Sequence, residues 1–223
     1  MDKKLKDLQK NRRKWWAMKA NLNLFSDLLS MPESARQRLE TKSVLKSYIW
    51  SDGMLTLTTS KQNPINPITY KTQSFSLGTK GKILKIDLCN QSAIDRQVKL
   101  FFESEFIPQI QQYAYISPKN DCIFIFNGKN IQLVNGTING ESIKQCAVFS
   151  AFESKKKMKA NLKKGKIDYQ PIARGAVSSM FSLETEIPQG ETVTAWAWAV
   201  QGETTHDVLR WNDEIKKNVL ALS

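Results

Sequence analysis

The sequence predicts a mainly β protein: an antiparallel β-sandwich or supersandwich, entered through a basic helical N-terminal segment and closed by a C-terminal helix. Three observations carry this expectation. From Gly53 onward the apolar residues recur at every second position in short runs. Turn-forming residues separate those runs about every 8–12 positions, the spacing of a sandwich or barrel. Before Gly53, and again after Thr204, the apolar spacing is helical. A length of 223 residues suits one such domain with an appendage, divided as 1–52 and 53–223.

The first segment reads as two helices. Over Asp2–Ala20 and just beyond, Leu5, Leu8, Trp15 and Leu22 lie near heptad spacing, with Trp16 beside the seam. A second helix is expected over Pro32–Ile49, with Pro32 in its first turn and Ala35, Leu39, Val44, Leu45, Tyr48 and Ile49 on its apolar side. Leu5, Leu8, Trp15, Trp16 and Leu22 are the expected interface with the sandwich, because a helix with an apolar seam gains its stability by packing.

The strands follow in order. Met54–Thr59 and Lys71–Leu77 are rich in β-formers, with a loop at Asn63–Pro67 between them. Ile83–Phe106 has the look of a hairpin, alternating Ile83, Lys85, Asp87 against Leu84, Ile86, Leu88 and returning through Val98, Leu100 and Phe102. Further strands are expected at Gln112–Ile116, Cys122–Phe126, Ile131–Val134, Cys146–Phe152, Gly175–Glu186 and Thr192–Val200. Turns are expected at Ser117–Asn120, Asn127-Gly128, Asn135-Gly136 and Pro188–Glu191. The last helix spans Thr205–Leu220, with Thr204 or Thr205 as its cap.

The formal net charge of +12 is concentrated in two places. Residues 1–46 hold twelve Lys/Arg against five Asp/Glu, and residues 155–166 hold seven lysines and no acid. The basic patch is Arg12, Arg13, Lys14, Lys155, Lys156, Lys157, Lys159, Lys163, Lys164 and Lys166. Such a distribution suits an acidic partner, and nucleic acid bound through residues 1–46 and 155–166 is the alternative function. No run of about 20 apolar residues exists and Met1 opens a charged stretch, so a cytoplasmic protein without a membrane span is expected.

Cys89, Cys122 and Cys146 are odd in number and widely spaced, and His206 is the single histidine. That pattern supplies no zinc set, so neither metal nor cofactor is expected. Glu103 and Glu105 share a strand side, which sets them near the low end of the ~5 to ~9 Å separation that glycoside hydrolysis uses, but alternating Glu on a strand more often marks a solvated face. Glu184 and Glu186 repeat the pattern. No nucleophile elbow and no phosphate-binding glycine loop occurs. Two aromatic pairs stand out: Tyr113 with Tyr115, and Trp196 with Trp198, each on one side of a strand. Sugar rings pack their C–H faces on such surfaces, and core packing gives the same spacing.

Four passages in order resemble the N-terminal β-supersandwich domain of bacterial glucoamylase-like enzymes, the family 15 glycoside hydrolases. They are Ile83–Phe106 with its Asn90-Gln91-Ser92 bend, Tyr113–Pro118, Arg174–Ser179, and Pro188–Glu191 with the Trp-containing strand and Thr205–Asn212. Ser178 stands where that family has Asp, and its Gly-Asn-Gly opening is missing. The resemblance implies a domain that packs on an (α/α)6 barrel, and that barrel supplies the catalytic carboxylates. The chain stops at Ser223, so no catalytic residue is expected in it. The resulting expectation is a non-catalytic sandwich related to carbohydrate-active enzymes. It would bind carbohydrate through Tyr113, Tyr115, Trp196 and Trp198, or act as a scaffold for a separate catalytic (α/α)6 protein.

Overall fold

A computed structural model describes residues 42–58, 67–107, 111–150 and 160–220. The expected interface residues Leu5, Leu8, Trp15, Trp16 and Leu22 lie outside these residues. So do Arg12, Arg13 and Lys14, and Lys155, Lys156, Lys157 and Lys159.

Among the described residues, twelve strands form two antiparallel sheets, and one long helix follows them. The strands are β1 (Lys42–Ser51), β2 (Met54–Leu57), β3 (Ile68–Ser76), β4 (Gly81–Asn90), β5 (Arg96–Ile107), β6 (Gln112–Ser117), β7 (Cys122–Asn127), β8 (Asn130–Ile138), β9 (Gln145–Ser150), β10 (Ile172–Gly175), β11 (Val177–Ile187) and β12 (Thr192–Gly202). Helix α1 spans Thr205–Leu220. One sheet runs β2-β1-β5-β11-β9 and the other β10-β6-β7-β8-β12-β4-β3.

The expected helix over Pro32–Ile49 is corrected where the structure describes it: residues 42–51 are strand β1, paired with β5 along its whole length and with β2 at its end. The spacing misleads because Val44, Leu45, Tyr48 and Ile49 fit a helical face. The burial actually alternates, with Leu45, Ser47 and Ile49 buried and Tyr48 and Trp50 on the other side. Tertiary pairing on both edges decides between the two periods.

The expected hairpin over Ile83–Phe106 is also corrected. β4 pairs with β3 and β12, whereas β5 pairs with β1 and β11. The chain changes sheets between the two strands. Asn90, fully buried, fixes this crossing: its Nδ2 donates to the carbonyls of Ile94 at 2.8 Å and Ile187 at 2.9 Å, and its Oδ1 accepts from Ser92. The expected turn at Asn135-Gly136 is a third correction, since β8 runs straight through it. A Cβ on Gly136 would stand 2.8 Å from the Phe181 ring, so the glycine is there to admit a side chain of the facing sheet rather than to bend the chain.

That contact typifies the core. Phe102 and Phe181 stack at 5.0 Å on the five-stranded sheet, and the facing sheet offers Ala195, Ala197, Ala199 and Gly136. Large residues on one inner face meet small ones on the other, which lets two twisted sheets interdigitate without voids. Polar bonds also join the two sheets: Ser104 Oγ donates to Gln132 Oε1, and the Gln112 side chain donates to Phe106 O and accepts from the Val177 amide.

Helix α1 begins as expected, with Thr204 Oγ1 accepting the Asp207 amide at 3.1 Å. Val208, Asn212, Ile215 and Val219 form its buried side against β8 and β12. Asn212 Oδ1 accepts from both Trp198 Nε1 and Asn135 Nδ2, each at 3.1 Å. Replacing Asn212 with Ala leaves two buried donors without that acceptor. The substitution is expected to cost about 3 kcal/mol, read as a lowered urea midpoint with unchanged slope. A shift below about 0.5 kcal/mol would show that the helix does not depend on this junction.

Candidate carbohydrate-binding face

The alternation along β6 and β12 puts Tyr113, Tyr115, Trp196 and Trp198 on the same surface, the outer face of the seven-stranded sheet. Strands β7 and β8 lie between the two pairs, so they are separated by about 14 Å of sheet. The structure assigns the four side chains different work. Trp198 is fully buried and hydrogen-bonded to α1, so it belongs to the packing. Trp196 is 9% exposed; Phe75 stacks on it at 6.3 Å and the Lys85 ammonium lies 5.6 Å from its ring centre. Its Nε1 is buried without a hydrogen-bond partner.

Tyr113 and Tyr115 are half-buried. Tyr115 stacks on Phe124 at 5.3 Å and on Phe126 at 5.8 Å, cross-strand neighbours on β7. Arg174, on edge strand β10 directly opposite Tyr113, places its guanidinium 5.3 Å from that ring. Two phenol rings backed by two buried phenylalanines and flanked by a guanidinium make a firm surface with π-faces and polar groups side by side. Sequence reading missed Arg174, because only the β10–β6 register brings it over Tyr113.

The carboxylates lie on the other side of the molecule, on the outer face of the five-stranded sheet. Glu103 is 5% exposed, which corrects the expectation of a solvated residue. Tyr48 Oη donates to Glu103 Oε2 at 2.9 Å, while Glu105 pairs with Lys46 at 3.3 Å. Burial, and then the Glu103 charge, push the Tyr48 phenol above its ordinary range. Each carboxylate thus has its own donor. Glu184 is likewise engaged. Burial alone would raise its carboxyl, but hydrogen bonds from Gln145 and Ser182, with the Lys99 ammonium at 3.0 Å, carry it below its ordinary value.

On the same outer face lies a second apolar cluster: Phe101, Ala147, Phe149, Leu162 and Met180, with Tyr48, Trp50, Leu55 and Ile167 around it. Lys163, Lys164 and Lys166 are exposed on the loop that brings Leu162 and Ile167 to this cluster. His206 is exposed in the first turn of α1. Cys122 is buried, Cys89 and Cys146 are half-buried, and all three are free. Among the described residues, no three His, Cys, Asp or Glu side chains converge as a metal set. No helix among them is long and apolar enough to cross a membrane.

No protein-family model matches the chain, and neither does any curated protein. Among solved structures, the chain is similar to a bacterial glucoamylase complexed with acarbose, at 10% identity and a TM-score of 0.49. The match covers 80% of this chain and 30% of that one.

Burial, and secondarily Cys122, raises the Tyr115 phenol from 10.0 to about 12. Such a phenol favours the folded state fully below the unfolded value, and the contribution is lost as pH rises from 10.0 toward about 12. Tyr115→Phe removes the titrating group. Its urea midpoint is therefore expected to fall less than that of the parent between about pH 9 and about pH 11.5. Parallel losses in the two proteins would contradict the burial of this ring.

Proposed function

We propose that the chain is a non-catalytic carbohydrate-binding sandwich that uses Tyr113 and Tyr115 as its contact. One observation carries this reading: of the two aromatic pairs on β6 and β12, only the β6 pair is half-buried and stands beside a guanidinium, while the β12 pair is taken up by packing. A pyranose presents an apolar C–H face and a rim of hydroxyls. The tyrosine rings would take the face, and Arg174 and the phenol hydroxyls would take the rim. Phe124 and Phe126 hold the platform rigid, which lowers the ordering cost of a weak ligand.

The test is retention of the whole protein in native gels cast with soluble neutral polysaccharides, followed by titration calorimetry with the oligosaccharide that retards it. Tyr113→Ala and Tyr115→Ala are each expected to weaken binding by about tenfold, on the order of 1.4 kcal/mol. Phe75→Ala, remote from β6, is expected to leave binding unchanged. Tyrosine variants retained like the parent, or a parent that no glycan retards, would transfer the chain to the scaffold role.

A further inference from the structure

We propose that residues 160–168 form a preformed docking knob for the phosphate backbone of double-stranded nucleic acid, with Lys163, Lys164 and Lys166 as its contacts. The observation is a loop held rigid against the five-stranded sheet while its charges are left bare. Residues 160–163 make one helical turn, closed by the Lys164 and Lys166 amides on Asn161 O and the Gly165 amide on Leu162 O. Leu162 and Ile167 join the outer apolar cluster. Trp50 Nε1 donates to Lys163 O at 3.0 Å, Lys99 Nζ donates to Gly165 O at 3.1 Å, and the Ile167 amide donates to Gln145 Oε1 at 2.8 Å. Gly165 has φ +69, and a Cβ there would stand 3.0 Å from the Trp50 ring, so the turn favours glycine.

The three lysines are exposed, and none enters an ion pair with a described residue. Asp168, the one acid of the segment, accepts from Asn161 Nδ2 at 2.8 Å. Three like charges within four residues repel one another; phosphates offset that repulsion, and the polyanion releases counterions as they do. Leu162 and Ile167 are turned inward, so the knob has no apolar residue to insert into a bilayer. No aromatic ring occurs within 160–168, and the exposed ring that follows, Tyr169, is too little for a run of stacked bases. What is left is point-charge contact with phosphates along a duplex, without sequence preference. This inference stands apart from the glycan reading, which concerns the opposite face of the sandwich.

The experiment is fluorescence anisotropy of a labelled duplex of about 20 bp with the full chain, at salt from about 50 to about 200 mM. The triple variant Lys163→Gln, Lys164→Gln, Lys166→Gln is expected to flatten the dependence of log K on log salt by about 2–3. A control triple elsewhere, Lys71→Gln, Lys119→Gln, Lys129→Gln, removes the same charge and is expected to leave the slope in place. Trp50→Phe keeps every charge but loses the anchor to Lys163 O; it is expected to weaken binding several-fold at unchanged slope. An unchanged slope in the first triple, or an equal change in the control, overturns the proposal. So does equally tight binding to vesicles of phosphatidylcholine and phosphatidylserine that the first triple abolishes.

Discussion

The fold depends on one buried amide. Asn90 sits where β4 leaves the seven-stranded sheet, and its side chain binds both the bend it opens, through Ile94 O and Ser92, and the end of β11, through Ile187 O. Its backbone holds the other bend as well, donating to Glu191 O and accepting from the Gly190 amide. The chain crosses between sheets at both bends, outward from β4 to β5 and back from β11 to β12. One residue therefore ties together two places where the sheets could otherwise slide apart. A buried side-chain amide has two donors and an acceptor to satisfy, and these bends supply carbonyls and amides at the required positions.

Much of this was legible in the sequence. The two-residue alternation of β4, the strand content after Gly53, the α1 boundaries and the Thr204 cap all follow from local patterns. What escaped was partner choice. The bend at Asn90-Gln91-Ser92 looks the same whether the next strand returns to its neighbour or to the opposite sheet, because alternation records which face is buried and not against what. Asn135-Gly136 has turn chemistry, but the Phe181 ring across the core decides its conformation. Residues 42–49 carry an apolar pattern that fits two periods, and only the β5 and β2 partners choose one. At the site, the sequence placed the aromatic pairs on common faces correctly. It could not separate platform from packing, since Phe75, which covers Trp196, is distant in the chain, and no local pattern shows that α1 folds back onto Trp198.

The two outer faces have been closed by different means. Over β8 and β12 a long amphipathic helix does the work, and the polar junction at Asn212 sets its register. Over β9, β11, β5 and β1, a short loop reaches the apolar cluster with two residues and is fastened by hydrogen bonds from Trp50, Lys99 and Gln145. A helix offers a continuous apolar stripe and buries more area. The loop depends on backbone carbonyls meeting fixed donors, so its position is determined by sheet residues rather than by its own hydrophobicity. Glu184 and Lys99 illustrate the difference: both are half-buried and paired, Lys99 donates to Gly165 O of the loop, and Glu184 accepts from Gln145, which bonds the loop in turn.

The strand order also bears on how copies of this chain behave toward each other. The longest apolar strands, β5, β11 and β12, are interior, while the outermost positions fall to β2 and β10, four residues each, to β9, and to β3. At β9, the Val148 amide is already used by Gln170 O. β3 is nine residues long, but its second half is Lys71, Gln73, Ser74 and Ser76 around a single Phe75. Unpaired backbone is a template for foreign strands, and brevity, occupancy and polar side chains each blunt it. Loss of β2 would expose the flank of β1 over Tyr48–Ser51 as a pairing surface. The four-residue β2 is therefore a guard against polymerisation as much as a part of the fold.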